Sequence, residues 1–378
     1  MKQQIKLSIP HLAGNENKYA QDAIESTWIT PLGPYVTRFE GMLSEYLGKG
    51  DVVALSAGTA AIHVALTLLG VGKGDEVVCQ SMTFAASANP IVYLGATPVF
   101  VDSEATTWNM DPALLRQAIE DRIKVTSRKP KAIVVVHLYG MPARMDEIMA
   151  IAREYEIPVV EDAAEAIGSE FAGRKCGTIG DFGILSFNGN KMITTSGGGA
   201  LICPDNESAK RALFLATQAR ENRPYYYHET IGYNYRLSNV SAAIGCAQME
   251  VLCERVERRR RIHDIYAEAF GGNRHIVVQS NPEEMYKSNF WLSTILLNES
   301  SPVSADELRQ RLASHGIETR LLWRPMHMQP IYQDASAYVN GVSEDLFNRG
   351  LCLPSSTTLS DEEIAYVAQL INQYTTGA

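Results

Sequence analysis

The feature that most constrains the fold is a regular alternation of short apolar runs and helical segments between residues 52 and 203. The runs are rich in β-branched residues, which is typical of strands that are buried on both faces. They are the segments DVVALSA, GDEVVCQS, TPVFVD, AIVVVHLYG, IPVVEDAA, FGILSF and GALICP. Strands separated by helices predict an α/β fold, with a mainly parallel sheet covered by helices on both sides.

The segments outside this region predict the domain organisation. Residues 15–48 have the pattern of a helix, an apolar loop and a second helix, and a long helix is predicted from about Ser238 to Phe270. Shorter strands and helices alternate after that helix. We therefore expect a large domain at residues 1–254 and a smaller C-terminal α/β domain at residues 255–378.

Composition excludes several classes of protein. Apolar residues make up 46% of the chain and charged residues 20%, which excludes disordered and low-complexity chains. The net charge of −9 argues against binding to nucleic acids or anionic membranes, and the run ERVERRRR is interpreted as a solvated helix face.

Cysteine usage and the absence of apolar leader segments bear on location. Six cysteines without C-x-x-C spacing predict buried free thiols and no metal site. The sequence shows neither the apolar core of a signal peptide nor a run long enough to span a membrane, so we expect a cytoplasmic protein.

Polar clusters follow several of the predicted strands. They are SAGT, MTF, HLYG, EDAAE and SFNGNK. Because ligands of parallel sheets bind at the carboxyl ends of the strands, these clusters predict a binding site at one edge of the sheet.

Two side chains in these clusters suit carbonyl chemistry. Lys191 lies in a Gly/Asn turn after a strand end, flanked by SFNGN and MITT, so a fully solvated position is not expected. An amine held near apolar groups loses its proton more readily than in water, and a neutral amine attacks carbonyl groups. Asp162 ends a strand, where a carboxylate can face the pyridine nitrogen of pyridoxal phosphate or simply cap a helix. Gly58 and Thr59 open a helix, which suits either a phosphate or an ordinary cap, and Phe84 could cover a flat ring or pack in the core.

Taken together, these segments resemble the DegT/DnrJ/EryC/StrS family of nucleotide-sugar aminotransferases, which depend on pyridoxal phosphate and have fold type I. The motifs occur in order over nearly the whole chain: GPYVTRFE, SAGTAAIHVAL, GATPVFVD, HLYGMPARMDEI, EDAAEAIGSEFAGRKCGTIGDFGILSFNGNK, GYNYRLSNVSAAIGCAQ and LLWRPMHMQP. The resemblance implies pyridoxal 5′-phosphate as cofactor, L-glutamate as amino donor, a role in polysaccharide biosynthesis and a homodimer with shared active sites.

The resemblance also implies roles for individual residues. Lys191 is expected to bond covalently to the cofactor and to shuttle protons, and Asp162 to face its ring nitrogen. The other expected cofactor contacts are Gly58, Thr59 and Ser186 at the phosphate, Phe84 on the ring, Glu165, and Asn234 from the neighbouring subunit. The expected substrate contacts are His327, Trp28 and Arg236, although the histidine could be structural and the arginine could form a structural ion pair.

Glu165 departs from the family pattern, because many members have histidine or glutamine at this position. A carboxylate beside an anionic cofactor needs its own partner or a raised pKa, unless it is only an acid at the start of a helix. With SFNGNK, QAREN and WRPMHMQP, it resembles a subgroup that aminates C4 of UDP-2-acetamido-4-keto-6-deoxy sugars on the bacillosamine and legionaminic acid routes.

Three alternatives remain open in the sequence. The substrate could instead be GDP-4-keto-6-deoxymannose or a dTDP-4-keto sugar. A sugar 3-dehydratase of the same family would carry histidine in place of Lys191, so the lysine argues against that activity. A cofactor-binding regulatory homologue without turnover is disfavoured, because both Lys191 and Asp162 are intact.

Overall fold

The computed structural model describes residues 4–12 and 14–376. The α-helices in these ranges are α1 (Glu16–Glu25), α2 (Pro34–Leu47), α3 (Gly58–Leu68), α4 (Ala85–Tyr93), α5 (Pro112–Thr126), α6 (Met145–Tyr155), α7 (Asn206–Ala216), α8 (Asn239–Met249), α9 (Leu252–Phe270), α10 (Ala305–Ser314), α11 (Val342–Arg349) and α12 (Asp361–Thr376). The strands are β1 (Val52–Leu55), β2 (Glu76–Gln80), β3 (Thr97–Val101), β4 (Ala132–Val136), β5 (Val159–Asp162), β6 (Glu170–Phe171), β7 (Arg174–Lys175), β8 (Phe182–Ser186), β9 (Gly199–Ile202), β10 (Ile276–Val278), β11 (Tyr286–Lys287), β12 (Thr294–Leu297), β13 (Arg320–Leu321), β14 (Ala337–Tyr338) and β15 (Gly350–Cys352).

The large sheet has the strand order β1-β9-β8-β5-β4-β2-β3-β14. Neighbours from β8 to β14 pair in parallel, whereas β9 pairs antiparallel with both β8 and β1. The predicted α/β fold with a mainly parallel sheet is therefore confirmed, and each apolar run between residues 52 and 203 contributes one strand to this sheet.

Helices cover both faces of the sheet. Along β2, Val77 and Cys79 join the core formed with α3, and Val78 points to the other face, where α5 and α6 pack. Burying such a side chain contributes about 1.5–3 kcal/mol, so strands that are apolar on both sides hold both layers. This packing fixes the carboxyl ends of the strands in space.

The C-terminal part forms a second, antiparallel sheet with the order β10-β12-β15-β13. It packs on α9, α10 and α12 around Ile262, Leu308 and Ile371. Ile5 bridges to Ile317 beside this sheet, and β14 returns to the edge of the large sheet. An N-terminal segment therefore packs with the second sheet, and a C-terminal segment joins the large sheet. The predicted boundary between a large domain and a small domain at residues 254 and 255 stays a prediction. The short strands β11, β6 and β7 form a third sheet.

The predicted single helix from Ser238 to Phe270 is wrong, because α8 and α9 are separate helices. Val251 between them has a φ of −118°, which is not helical. The carboxylate of Glu250 accepts hydrogen bonds from Tyr19 at 2.6 Å and from Asn15 at 2.8 Å, which ties this junction to α1.

The interpretation of ERVERRRR as a solvated face is also wrong in part. Arg259 is buried and donates to the carbonyl of Trp291 at 2.7 Å and to the hydroxyl of Ser8 at 2.8 Å. Burial lowers the pKa of Arg259 to about 9. Arg258 pairs with Asp361 at 2.6 Å. The arginines of α9 therefore join it to other segments of the chain.

The cysteines are free thiols, and most of them are buried as predicted. Cys253 on α9 is the exception, because it is exposed. Among the described residues, no helix combines the length and the apolar character that crossing a membrane requires.

Candidate active site

A cavity of about 980 Å³ lies where β1, β2, β4, β5 and β8 end. The predicted site residues that line it are Gly58, Thr59, Phe84, Asp162, Glu165, Ser186 and Lys191. The edge of the sheet that the polar clusters indicated is therefore where the structure brings these residues together.

The amine of Lys191 points into this cavity. Its Nζ lies 3.1 Å from Oε1 of Glu165 and 4.2 Å from the centroid of the Trp291 ring. The side chain is 13% exposed. The turn that carries it follows β8 and is closed by a hydrogen bond from the Lys191 N–H to the carbonyl of Asn188 at 3.0 Å. The turn and these contacts therefore direct the amine of Lys191 into the cavity, between Glu165 and Trp291.

Asp162 forms the buried end of β5. One carboxylate oxygen accepts from the Ser87 hydroxyl at 2.7 Å, and the other accepts from the Ala164 N–H at 3.2 Å. Burial raises the pKa of Asp162, although these hydrogen bonds act in the opposite direction. A positively charged nitrogen placed against this carboxylate would favour its ionised form.

A second buried carboxylate, Glu161, fixes the same strand end. Its donors are the Nε2–H of His137 and the backbone N–H groups of Gly177, Ile179 and Gly180, at 2.6–2.8 Å. Although burial alone would raise the pKa of Glu161, these bonds outweigh it and the pKa is lowered. Nδ1 of His137 accepts from the Ala143 N–H at 3.0 Å, so both ring nitrogens are used within the fold. We assign this network a structural role.

The start of α3 offers unpaired backbone N–H groups to the cavity. Ala57, in the cap position, makes no side-chain hydrogen bond to the helix. A Cβ on Gly58 would lie 3.1 Å from Cβ of Ser186, and one on Gly199 would lie 2.4 Å from the nitrogen of Gly58. Glycine at these positions lets the helix start approach the neighbouring strand ends closely. Such a helix N-terminus suits a phosphate, and Thr59 and Ser186 supply hydroxyl groups beside it.

This set of donors fits pyridoxal phosphate. The amine of Lys191 matches its aldehyde, the carboxylate of Asp162 matches its ring nitrogen, and the start of α3 matches its phosphate. The ring of Phe84 is 61% exposed although it is apolar, so a flat ligand ring can cover it. Apart from Asn234, the residues predicted to hold the cofactor therefore line one cavity of a single chain.

Two predicted site residues lie outside this cavity on exposed surface. Asn234 accepts a hydrogen bond from Gln218 at 3.0 Å. Trp28 is 46% exposed, and its carbonyl accepts from Asn239 at 2.7 Å. Within one chain neither side chain reaches the cavity, so their predicted roles depend on a second subunit.

Two further predicted site residues make contacts of a structural kind. Arg236 pairs with Glu40 and donates to the carbonyl of Ala54 at 3.1 Å, which matches the ion-pair alternative of the sequence analysis. Nδ1 of His327 lies 2.6 Å from the Ser81 hydroxyl and binds the turn at 326–328 to the end of β2. The structure supplies no contact of either residue with the cavity, and their substrate roles stay predictions.

An aromatic wall of the cavity was missed by the sequence analysis. Trp291 and Trp323 line the cavity beside Phe84, which was predicted, and Tyr139 packs against both tryptophans; the ring centroids of the contacting pairs are 5.0–6.4 Å apart. Trp323 belongs to LLWRPMHMQP, the motif in which His327 was the predicted substrate contact. Nothing in the spacing of the sequence connects residue 291 with residue 191. Ser87, the donor to Asp162, was also missed, because it lies within the predicted helix FAASANPIVYLG and shows no sign of a partner on β5.

Comparison with known proteins gives concordant results. The sequence model of the DegT/DnrJ/EryC1/StrS aminotransferase family matches residues 10–372. A putative pyridoxal phosphate-dependent aminotransferase of Bacillus subtilis (strain 168), EpsN, is 48% identical over 98% of this chain and 96% of its own length. The GDP-perosamine synthase of Escherichia coli O157:H7 is 38% identical over 97% of each chain. Among solved structures, the putative sugar aminotransferase Spr1654 from Streptococcus pneumoniae in its PLP form has 29% identity and a TM-score of 0.92 over 99% of each chain.

Proposed function

Because the chain belongs to the DegT/DnrJ/EryC1/StrS aminotransferase family and is a sugar aminotransferase that depends on pyridoxal phosphate, we propose that it aminates C4 of a nucleotide-linked 4-keto-6-deoxy sugar, with L-glutamate as donor and 2-oxoglutarate as by-product. The observation that carries this function is the meeting of the Lys191 amine and the buried Asp162 carboxylate in one cavity beside the uncapped start of α3.

Each residue of the cavity has a defined task in this reaction. The cofactor, when bound, supplies a ring that stabilises negative charge on the carbon attached to the amino group. Asp162 holds a proton on the ring nitrogen, and the start of α3 with Thr59 and Ser186 binds the phosphate. The nitrogen of Lys191 removes a proton from the substrate carbon and delivers one in the second half of the cycle. Phe84 covers the ring and keeps water from it.

The substrate is a UDP-2-acetamido-2,6-dideoxy-4-keto-hexose, which yields the UDP-4-amino sugar. Its support is the resemblance of the segments around Glu165 and WRPMHMQP to the enzymes that act on such sugars. The aromatic wall at Trp291 and Trp323 suits the apolar face and methyl group of a 6-deoxy sugar. Arg309 and Arg320 line the same cavity and can approach a diphosphate.

A GDP-linked 4-keto-6-deoxy sugar is the second candidate. The observation that favours it is that three relatives, 34–38% identical over nearly the whole chain, are named GDP-perosamine synthases. The two candidates share the amination at C4 and differ in the nucleotide.

A half-reaction experiment separates these substrates. Glutamate converts the bound cofactor to its amine form, the glutamate is removed, and UDP-, GDP- and dTDP-4-keto-6-deoxy sugars are added separately. Return of the visible absorption band with the UDP-2-acetamido sugar alone is the expected result. Return of the band with the GDP sugar alone would show that the second candidate is the substrate. If glutamate failed to convert the bound cofactor, glutamate would not be the amino donor.

The functional unit is a homodimer with shared active sites, located in the cytoplasm. Apolar side chains that are 40–83% exposed occur in two separate segments of the sequence, and exposed apolar surface of this kind is typical of an interface. They are Ile24, Trp28, Ile29 and Leu32, and Tyr225, Tyr226, Tyr227 and Ile231. Asn234 is exposed and follows the second group, which supports its proposed contact with the site of the neighbouring subunit. The free thiols support a reducing compartment.

A further inference from the structure

The carboxylate of Glu165 has a position that cofactor binding alone does not explain. Its side chain is 4% exposed, and Oε1 lies 3.1 Å from Nζ of Lys191. Oε2 accepts a hydrogen bond from the backbone N–H of Tyr139 at 2.8 Å. The main-chain carbonyl of Glu165 accepts from the amide of Asn289 at 2.8 Å. The carboxylate is therefore anchored on one side and directed at the reactive nitrogen on the other.

The groups that face this carboxylate make its charge depend on Lys191. Lys191 is the cation that stabilises its ionised form, whereas Asp162 opposes that form, and the neutral side chains of Tyr139 and Cys352 complete the surroundings. Burial raises the pKa of Glu165 in spite of the lysine. A buried carboxylate that loses its cationic partner is costly unless it takes up a proton.

We propose that Glu165 is the proton partner of Lys191: its carboxylate takes the proton when the lysine nitrogen must be neutral and stabilises the proton when the nitrogen must carry it. This inference rests on the proposed role of Lys191. In the transfer, an Nζ–H bond breaks and an Oε1–H bond forms, and the electron pair stays on nitrogen as the lone pair of a nucleophile or base. No other reactant is needed, since the two atoms are already in hydrogen-bond contact.

The experiment compares the pH dependence of the visible absorption of the holoenzyme in wild type, Glu165→Gln and Glu165→Asp. Because an anion at this distance stabilises the protonated form of the nitrogen, the midpoint of the absorption change is expected to fall by about 1–3 pH units in the glutamine variant. Glutamine keeps an oxygen for the Tyr139 N–H, so a purely structural role would leave the midpoint unchanged. The aspartate variant retains a carboxylate and is expected to shift less.

A second readout follows proton transfer directly. In a single turnover with glutamate, Glu165→Gln is expected to slow conversion about 100-fold while the dependence on glutamate concentration stays close to that of wild type. The matched control is Glu170→Gln on β6, whose carboxylate lies 3.6 Å from Lys287 and does not line the cavity. It is expected to leave both readouts unchanged.

Borohydride reduction followed by peptide mapping distinguishes the two levels of inference. Cofactor trapped on Lys191, together with an unshifted midpoint in Glu165→Gln, overturns the role of Glu165 alone. Cofactor trapped on a different lysine overturns the proposed function of Lys191 and this inference with it. Cofactor on Lys191 with a lowered midpoint and a slower turnover supports both.

Discussion

At the scale of single residues, the Lys191 nitrogen is positioned by two contacts. Glu165 holds it on one side, and the face of Trp291 lies on the other. A carboxylate and an aromatic face are the two kinds of surface that attract an amine in a protein interior. The nitrogen is therefore oriented before any ligand arrives, which lowers the entropic cost of the reaction.

Replacement of Lys191 by alanine tests the central residue. Because the variant lacks both the covalent attachment point and the proton carrier, we expect the glutamate half-reaction to slow by about 10⁴-fold or more. Stopped-flow absorption of the reconstituted protein measures it. Lys210→Ala, at an exposed position on α7, is the control and should match wild type. Near-wild-type conversion by Lys191→Ala would contradict the assignment.

Replacement of Asp162 and of its donor tests the charge at the ring nitrogen. Asp162→Asn removes the charge with little change in shape, and we expect the glutamate half-reaction to slow by about 10²–10³-fold. Ser87→Ala removes one hydrogen bond at 2.7 Å and leaves the charge, so its loss should be about 10-fold. The same single-turnover assay ranks the two variants. An asparagine variant that is as fast as wild type would show that Asp162 does not face the ring.

At this scale, the residues that the sequence correctly assigned to the cavity belong to local motifs. Asp162 ends β5, Gly58 and Lys191 come shortly after β1 and β8, and each of these strand ends has a recognisable apolar run before it. The sequence predicted that Glu165 requires a partner or a raised pKa, but it did not identify Lys191 as that partner. The contact between the two residues depends on how the turn at 188–191 folds. Trp291 was not predictable in this way, because its contact with Lys191 joins segments that are distant in sequence.

At the scale of elements, local sequence patterns predicted the βα units correctly. They failed where a contact with a residue distant in sequence determines the structure. The strands of the large sheet are apolar on both faces, so their sequences show them without reference to neighbours. At the break between α8 and α9, Glu250 accepts hydrogen bonds from Tyr19 of α1 and from Asn15, which precedes that helix. The two-residue strand β14 exists because it pairs with β3. No local signal marks either feature.

The apolar loop between α1 and α2 is held by one buried side chain, Asn239. Its amide accepts from the N–H groups of Tyr35 and Val36 and donates to the carbonyl of Trp28, at 2.7–3.2 Å. Asn239→Ala leaves these backbone groups without their partner. We expect a loss of about 2–4 kcal/mol in the free energy of unfolding, measured by urea titration.

The control for this variant is Asn206→Ala. Asn206 is exposed and donates to Asp51 at 3.2 Å, so its loss should cost no more than about 0.5 kcal/mol. Because the loop carries Trp28 and Ile29, Asn239→Ala should also weaken subunit association in sedimentation measurements. Equal stability of the two alanine variants would show that the loop is held by other contacts.

At the scale of the whole molecule, the cavity is assembled from distant parts of the chain. Ser8 comes from the N-terminal segment, Ser56 to Thr59 and Asp162 to Lys191 from the large sheet, and Trp291 and Arg320 from the C-terminal part. The sequence predicted the contribution of the large sheet, since parallel strands share one edge. The contribution of the C-terminal part depends on how the second, antiparallel sheet packs against the large sheet. No periodicity in the sequence encodes this packing.

Mixing two inactive variants tests whether the whole unit is a dimer with shared sites. Lys191→Ala damages the site of its own chain, and Asn234→Ala is expected to damage the site of the neighbouring chain. A hybrid dimer then has one site with both residues intact. Random exchange of subunits in an equal mixture should therefore restore about a quarter of the wild-type turnover, from two preparations that are each inactive.

The subunit-mixing experiment needs a control mixture in which subunit exchange cannot restore an active site. In a mixture of Lys191→Ala with Asp162→Asn, each defect lies in the chain's own cavity, so a hybrid dimer has no intact site. In that mixture every site lacks either the lysine or the aspartate, and activity should stay at the sum of the separate variants. If the mixture with Asn234→Ala also stayed at that sum while light scattering showed a dimer, Asn234 would act outside the shared site. The dimer would then bury the exposed apolar segments without joining the two cavities.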